Sequence, residues 1–387
     1  MASARRLKVL SLIDSVVLSG GAERFTVALA THLPRDRFEL WMCSSRHAEP
    51  DALALLEEAG VPHVHLGRTG KLDVHRLAGL AALLRRERFD ILHTQKFGSN
   101  LWGSLIGAAC RTPVIIAHEH TWSYEGAPLR RWLDGQVIAR LATRFIAVSA
   151  QDARRMVSIE HIAPEKVLTI PTAYIPRPRV GTDLRAELGI ERSTRLLAAV
   201  AVLRPQKALS VLLDALPGVL ASVPDAHLVI AGDGECRDEL VAHAARSGLG
   251  ERVHFLGRRG DVEEILEAAD IAVISSDYEG TPLVAFECFA TGTPLVATAV
   301  GGLVEIIDDG VTGRLVPPRD PQALAAAIVE LALDPELRGR IAAAAQRSVI
   351  RMDTVAARVG ALYETLAAER GLIGAPRHVS PPGSVAA

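Results

Sequence analysis

Short β-branched, apolar runs alternate with longer amphipathic stretches along most of this chain. That alternation is the pattern of βα units laid on parallel sheets. In the first half it predicts strands at about Lys8–Ile13, Phe38–Cys43, Val61–Leu66, Ile91–Thr94, Val114–Ala117 and Phe145–Val148. Helical stretches such as Ala22–His32, Val74–Arg86 and Leu129–Leu141 lie between them. The alternation then restarts, with strands at about Leu196–Val202, His227–Ala231, Val253–Leu256, Ile271–Ser275 and Leu295–Thr298. Helices near Ala208–Ala221, Cys236–Ala245, Asp261–Ala268 and Pro282–Ala290 separate these.

Between the two series, Pro171, Pro176 and Pro178 stiffen a linker that forms no element of its own. The expected organisation is a Rossmann-like domain over 1–172, a linker over 173–190 and a second Rossmann-like domain over 191–350. A helix over 351–372 returns to the first domain, and a disordered tail over 373–387 follows. Two such domains leave a cleft where the strand C-termini of both face each other, and open α/β sheets bind ligands there.

Composition narrows the class. With 387 residues, 49% of them hydrophobic and 23% charged, the chain has ample core and a soluble, globular balance. No apolar run reaches the ~18–20 residues needed to span a bilayer. Asp14 ends the first apolar run too early for a signal peptide, so that run reads as a strand. The four cysteines are scattered without a C-x-x-C pair, which fits small buried residues in a reducing cytoplasm. Charge is unequal: residues 1–180 carry 24 Lys and Arg against 17 Asp and Glu, net +7, and the remainder nets −9. A basic first half suits a phosphate-bearing substrate or an anionic membrane face. Nothing in the sequence points to nucleic acid.

The chemistry concentrates in Ser275–Glu287. Glu279 and Glu287 flank Gly280, Thr281, Pro282 and Leu283, where Thr281 reads as an N-cap, Pro282 as the first helical residue and Gly292 as the stop. A helix start offers free N–H groups to a phosphate, and the two carboxylates suit sugar hydroxyls on either side of it. Glu287 lies among Val284, Phe286 and Phe289, where an unpaired carboxylate is costly, so it needs a partner. Nucleotide-sugars have the matching layout.

With its surroundings included, this region resembles the retaining GT-B glycosyltransferases of family GT4. The resemblance rests on Asp270–Ser276, Glu279–Pro282, Glu287, Ala290–Thr298, Gly301-Gly302, Glu305 and Gly310–Gly313. It runs over nearly the whole chain, strongest from Val253 to Asp320. It implies the GT-B fold and transfer of a sugar from a UDP- or GDP-sugar to an acceptor hydroxyl. The setting it implies is glycan, glycolipid or envelope-polysaccharide synthesis on the cytoplasmic side. Gly20 and Gly21 resemble the family's N-terminal glycine loop, where glycine permits positive φ and close backbone approach. His120, with His118 as the alternative, resembles the histidine beside the transferred sugar. Lys207 matches the diphosphate-loop lysine, Gly232 the next strand-end loop and Arg258 the segment along the nucleobase.

The pattern also departs from the family. Val202 stands where an arginine is usual, Ala208 where a glycine follows the lysine, and Thr172-Ala173 where Asn-Gly is usual. Arg204 is placed to supply the missing cation. The resemblance implies Glu279, His120 and Lys207 at the reacting sugar, and Glu287 on the ribose diol. With no D-x-D motif and cations around the diphosphate, no metal and no cofactor are expected. His118-Glu119-His120 resembles a metal pair, but no third ligand is evident. The acceptor is left open among carbohydrate, lipid-linked and small-molecule classes. Rival readings are a nucleotide-sugar epimerase or phosphorylase on the same scaffold, and a binding protein that has lost turnover. Trp132, among Arg130, Arg131, Arg140 and Arg144, reads either as an interfacial docking helix or as a core residue of an ordinary surface helix.

Overall fold

The computed structural model describes residues 5–70, 73–121 and 127–374, so nearly all of the expected tail lies outside the described residues. Among the described residues, thirteen strands form two parallel sheets. The first contains β1 (Leu7–Val16), β2 (Phe38–Ala48), β3 (His63–His65), β4 (Ile91–Gln95), β5 (Val114–Glu119), β6 (Arg144–Ala147) and β7 (Val167–Thr169). Its order is β3-β2-β1-β4-β5-β6-β7. The second contains β8 (Leu196–Val200), β9 (His227–Ala231), β10 (Val253–Gly257), β11 (Ile271–Ile274), β12 (Leu295–Thr298) and β13 (Arg314–Val316), in the order β10-β9-β8-β11-β12-β13. This is the expected two-sheet α/β architecture. In each sheet the chain starts centrally, works to one edge and crosses back, leaving a switch point beside β1 and beside β8.

Strand burial explains the sequence pattern. β4, β5, β11 and β12 are buried at every position. β11 and most of β12 read as continuous apolar runs, whereas β4 and β5 begin apolar and end in the buried polar residues His93, Thr94 and Gln95, and His118 and Glu119. The helix Met352–Glu369 joins the apolar cluster of the first sheet through Met352, Val355, Val359 and Tyr363, which pack with Phe38 and Leu33. Among the described residues, no helix is long and apolar enough to cross a membrane.

Local corrections follow from packing. Val74–Arg86 is a 3-10 turn at Val74–Leu77 followed by the helix Ala78–Glu87. Leu129–Leu141 is a short α-helix, Pro128–Leu133, then a π turn, Asp134–Ile138, and a last helical turn, Ala139–Leu141. Trp132 is 57% exposed and Leu129 68% exposed, so Trp132 is not a core residue. Cys43 and Cys288 are buried, while Cys110 and Cys236 are half-buried free thiols.

Candidate active site in the cleft between the sheets

The C-terminal ends of β1, β2 and β5 face those of β8 and β9 across a cleft of about 2570 Å³. A single small ligand fills roughly 300–1,000 Å³, so two substrates fit. The cleft is lined by Gly20, Gly21 and His120 from one side. From the other come Arg204, Lys207, Gly232, Arg258, Glu279, Gly280, Thr281, Pro282, Leu283 and Glu287. The residues expected at the donor site and at the reacting sugar therefore border one space. His118, the alternative to His120, is fully buried and does not border the cleft.

The Ser275–Glu287 segment differs in detail from its sequence reading. The helix runs Leu283–Thr291 with Pro282 at the cap position, and no side chain caps it. Thr281 is not the N-cap, because its Oγ1 donates to the Val148 carbonyl of the opposite lobe at 2.6 Å. The stop is as expected: Gly292 is left-handed at φ 71°. Gly280 has a different constraint, since a Cβ there would collide with the His120 carbonyl. Only glycine lets the two lobes meet at this point. At Gly232, φ is 140° and a Cβ would strike the Ala201 carbonyl, so this turn also requires glycine.

Both acids are buried yet border the cleft. Glu279 Oε1 accepts from Lys207 Nζ at 2.5 Å and from Ser276 Oγ at 2.6 Å. Glu287 Oε1 accepts from Arg24 Nη1 at 2.6 Å and from Arg177 Nε at 2.9 Å. The partner that Glu287 requires is thus protein, two guanidiniums that the sequence reading missed. Burial pushes the Glu287 carboxyl up, but the two arginines outweigh it and hold it below the usual carboxylate range. In each acid Oε1 carries the described hydrogen bonds, leaving Oε2 without a described partner.

The glycine loop also needs correction. Gly20 has φ −99° and Gly21 is not among the positive-φ residues, so close approach, not unusual φ, is what that turn uses. Gly20 lies under the Glu23 carboxylate, which accepts from Lys96 Nζ at 2.7 Å. Across the cleft, Arg204 and Arg258 are exposed and form no ion pair among the described residues. Val202 and Ala208 flank Arg204 and Lys207, and Ala208 is left-handed at φ 45°. Asp233 holds its own turn by accepting from Gly234 N at 2.8 Å.

Several contacts hold the lobes together. Thr172 Oγ1 donates to the Thr281 carbonyl at 2.7 Å. The Glu305 carboxylate accepts from Ala150 N and Gln151 N, both at 2.8 Å, at the start of the helix Ala150–Ser158. Among the described residues no group of three or more His, Cys, Asp or Glu is placed to hold a metal ion.

Comparison with known proteins matches this geometry to a family. The family model "Glycosyl transferases group 1" matches residues 181–348, and "Glycosyltransferase Family 4" matches residues 19–175. The chain belongs to the group 1 glycosyltransferases. It is 30% identical over 379 residues to a D-inositol 3-phosphate glycosyltransferase of Mycolicibacterium gilvum, covering 87% of this chain and 84% of that one. It is 26% identical over 276 residues to an Escherichia coli UDP-Gal:alpha-D-GlcNAc-diphosphoundecaprenol alpha-1,3-galactosyltransferase, covering 68% of this chain and 71% of that one. Among solved structures, Anabaena HepE in complex with UDP and glucose superposes with a TM-score of 0.80 at 24% identity. That match covers 92% of this chain and 99% of HepE, and it shows the shared fold. Both sequence relatives are named as transferases, and nothing in these matches favours an epimerase.

Proposed function

We propose that this glycosyltransferase moves a sugar from a UDP-sugar to an acceptor hydroxyl with retention, without a metal ion. One observation carries the reading. Two acids whose second oxygens have no described hydrogen-bond partner flank a helix start, in one cleft with three cations of the same lobe. The diphosphate lies against Arg204, Lys207 and the free N–H groups at Leu283, where fixed positive charge does what a divalent cation does elsewhere. Glu287 Oε2 takes the ribose diol, Arg258 borders the base, and Glu279 Oε2 holds the transferred sugar beside His120. The acceptor oxygen bonds to the anomeric carbon on the face from which the diphosphate departs. The acceptor's proton passes to the leaving phosphate oxygen.

A UDP-sugar is favoured over a GDP-sugar by the E. coli relative named for UDP-Gal and the HepE complex with UDP. Arg46 borders the opposite wall with its Nε buried and no hydrogen-bond partner among the described residues. That suits an acceptor carrying an anionic group, as in the inositol phosphate named for the M. gilvum relative. The deciding experiment is a thermal-shift panel of UDP-, GDP- and ADP-sugars followed by turnover in EDTA. The preferred donor at 100 times its Kd adds about 2.7 kcal/mol of apparent stability. No shift with any donor refutes the site, and turnover that stops in EDTA refutes metal independence.

A second reading concerns where the enzyme works. Leu129 and Trp132 are exposed on a helix that also carries Arg130 and Arg131, which suits cytoplasmic docking on an anionic membrane surface. Flotation with anionic liposomes at low salt retains the protein and releases a Trp132→Ser variant. Equal recovery of both variants rejects the docking.

A further inference from the structure

A line of buried polar groups connects the helix Met352–Glu369 to the cleft. The Tyr363 hydroxyl is 2.7 Å from His93 Nδ1, and Gln95 Nε2 is 3.2 Å from His93 Nε2. Gln95 Oε1 is 2.7 Å from His120 Nε2. Tyr363, His93 and Gln95 are all buried. His93 and Gln95 are two apart on β4 and so share a face of the sheet. The His118 ring stacks on both His93 and His120, at 5.4 and 4.4 Å, and fixes their planes.

A neutral imidazole has one N–H and one lone pair, so a chain of such rings has a direction. Burial keeps His93 and His120 neutral, each pushed down to about 3. The amide orientation follows from the network: 2.7 Å is within the range of an N–H···O bond but short for two nitrogens. The amide oxygen therefore faces His120 and the amide nitrogen faces His93. His93 accepts at Nε2 and gives its Nδ1 proton to the Tyr363 oxygen. His120 gives its only ring proton to Gln95. Its Nδ1 is left with a lone pair, buried and without a hydrogen-bond partner among the described residues.

Given the nucleotide-sugar reading of the cleft, we propose that Gln95, oriented by His93 and Tyr363, is a positioning residue that locks His120 as a hydrogen-bond acceptor. The acceptor atom, Nδ1, receives a hydroxyl of the transferred sugar. Two consequences follow. The site selects donors that keep that hydroxyl, because a deoxygenated sugar leaves the lone pair unfilled. His120 also has no proton to offer the departing phosphate, so it cannot be the general acid of the reaction.

The test uses the full chain labelled with 15N-histidine and long-range 1H–15N spectra, the His120 signals being identified by their loss in His120→Asn. The wild type is expected to show the Nε2–H tautomer at His120. Gln95→Leu should give a mixture of tautomers and lower kcat about 10–100-fold, with donor KM changed less than about threefold. Gln95→Glu presents a carboxylate to the same N–H, so it should keep the Nε2–H tautomer and recover about tenfold of the lost kcat. An Nδ1–H tautomer in the wild type overturns the proposal. So does a Gln95→Leu enzyme with unchanged tautomer and kcat. The spectra require no turnover, so an absence of donor binding counts against the glycosyl-transfer reading alone.

Discussion

The two walls of the cleft treat charge differently. On the C-terminal wall, Arg204 and Arg258 are exposed and form no ion pair among the described residues, and Lys207 closes the turn that Arg204 opens. On the N-terminal wall, Lys96 is neutralised by Glu23 and Arg24 by Glu287, and the histidines behind the site are held neutral by burial. Positive charge without an ion-pair partner thus gathers along the proposed diphosphate site. The wall facing it keeps one cation, Arg46, outside any ion pair among the described residues and otherwise offers directional hydrogen bonding. One wall acts by field, the other by orientation.

The most damaging way to break this contrast is to remove charge from the C-terminal wall. Lys207→Ala is expected to lower kcat about 10²–10³-fold, the scale of losing one donor to a developing oxyanion, about 2.7–4 kcal/mol. Lys207 is also the counter-ion of Glu279, so the same substitution leaves a buried acid with only Ser276 on Oε1. Measuring kcat and melting temperature together separates the two roles. A variant that melts earlier but turns over normally makes Lys207 a structural counter-ion and nothing more.

The next test targets the bridge between the walls. Arg24 and Glu287 are both buried, and breaking such a pair by removing one partner typically costs 3–5 kcal/mol. Arg177 still holds the same carboxylate oxygen, so Arg24→Met should cost about 3 kcal/mol, the lower end of that range. Urea denaturation reads this as a lower midpoint with an unchanged slope. An unchanged midpoint means the bridge contributes nothing to keeping the lobes together.

Acid should weaken the N-terminal wall more than the other. His93 is pushed down to about 3, and His118 lies well below its ordinary value, both by burial. Their unfolded counterparts take up a proton near pH 6.5, whereas the folded forms do so only far lower. The stability they contribute is therefore present above about pH 6.5 and is lost as pH falls below it. Each histidine adds up to about 1.4 kcal/mol per pH unit to that slope. His118→Leu is expected to flatten the dependence between about pH 6 and 4 by close to one proton's worth. An identical slope would show that His118 is not buried in its neutral form.

The same contrast decides what could be read without coordinates. The donor wall is local in sequence: Glu279, Gly280, Thr281, Pro282 and Glu287 occupy one segment, so spacing exposed them together. Arg24 and Arg177 are 263 and 110 positions from Glu287, and no local pattern pairs them with it. The Tyr363 to His93 link spans 270 positions and depends on a helix crossing back to the first sheet. Architecture was legible because strands buried on both faces carry short apolar runs, complete in β11 and partial in β4 and β5. β7 and β13, three residues each, were missed; β3 is as short but lies inside the longer alternating stretch Val61–Leu66. The helix Lys96–Ala109 was hidden by its own glycines, which lie against Leu12, Leu92 and Thr94 and dilute its apolar stripe.

The smallest expected effect sharpens the view of the diphosphate loop. Ala208 sits at φ 45° and ψ 39°, buried, between the turn Pro205–Lys207 and the helix Leu209–Ser222. A left-handed conformation costs a residue with a Cβ about 1–2 kcal/mol, and glycine avoids that cost. Glycine also loses more freedom on folding, which returns roughly 0.5–1 kcal/mol. Ala208→Gly should therefore stabilise the protein by about 0.5–1 kcal/mol, read as a raised urea midpoint. If the strain also misplaces Lys207, the same change should raise kcat a few-fold while donor KM stays put. Destabilisation by Ala208→Gly would mean that the alanine methyl packs well enough to outweigh its backbone strain, and that the departure from the family's glycine is a local adaptation of this loop.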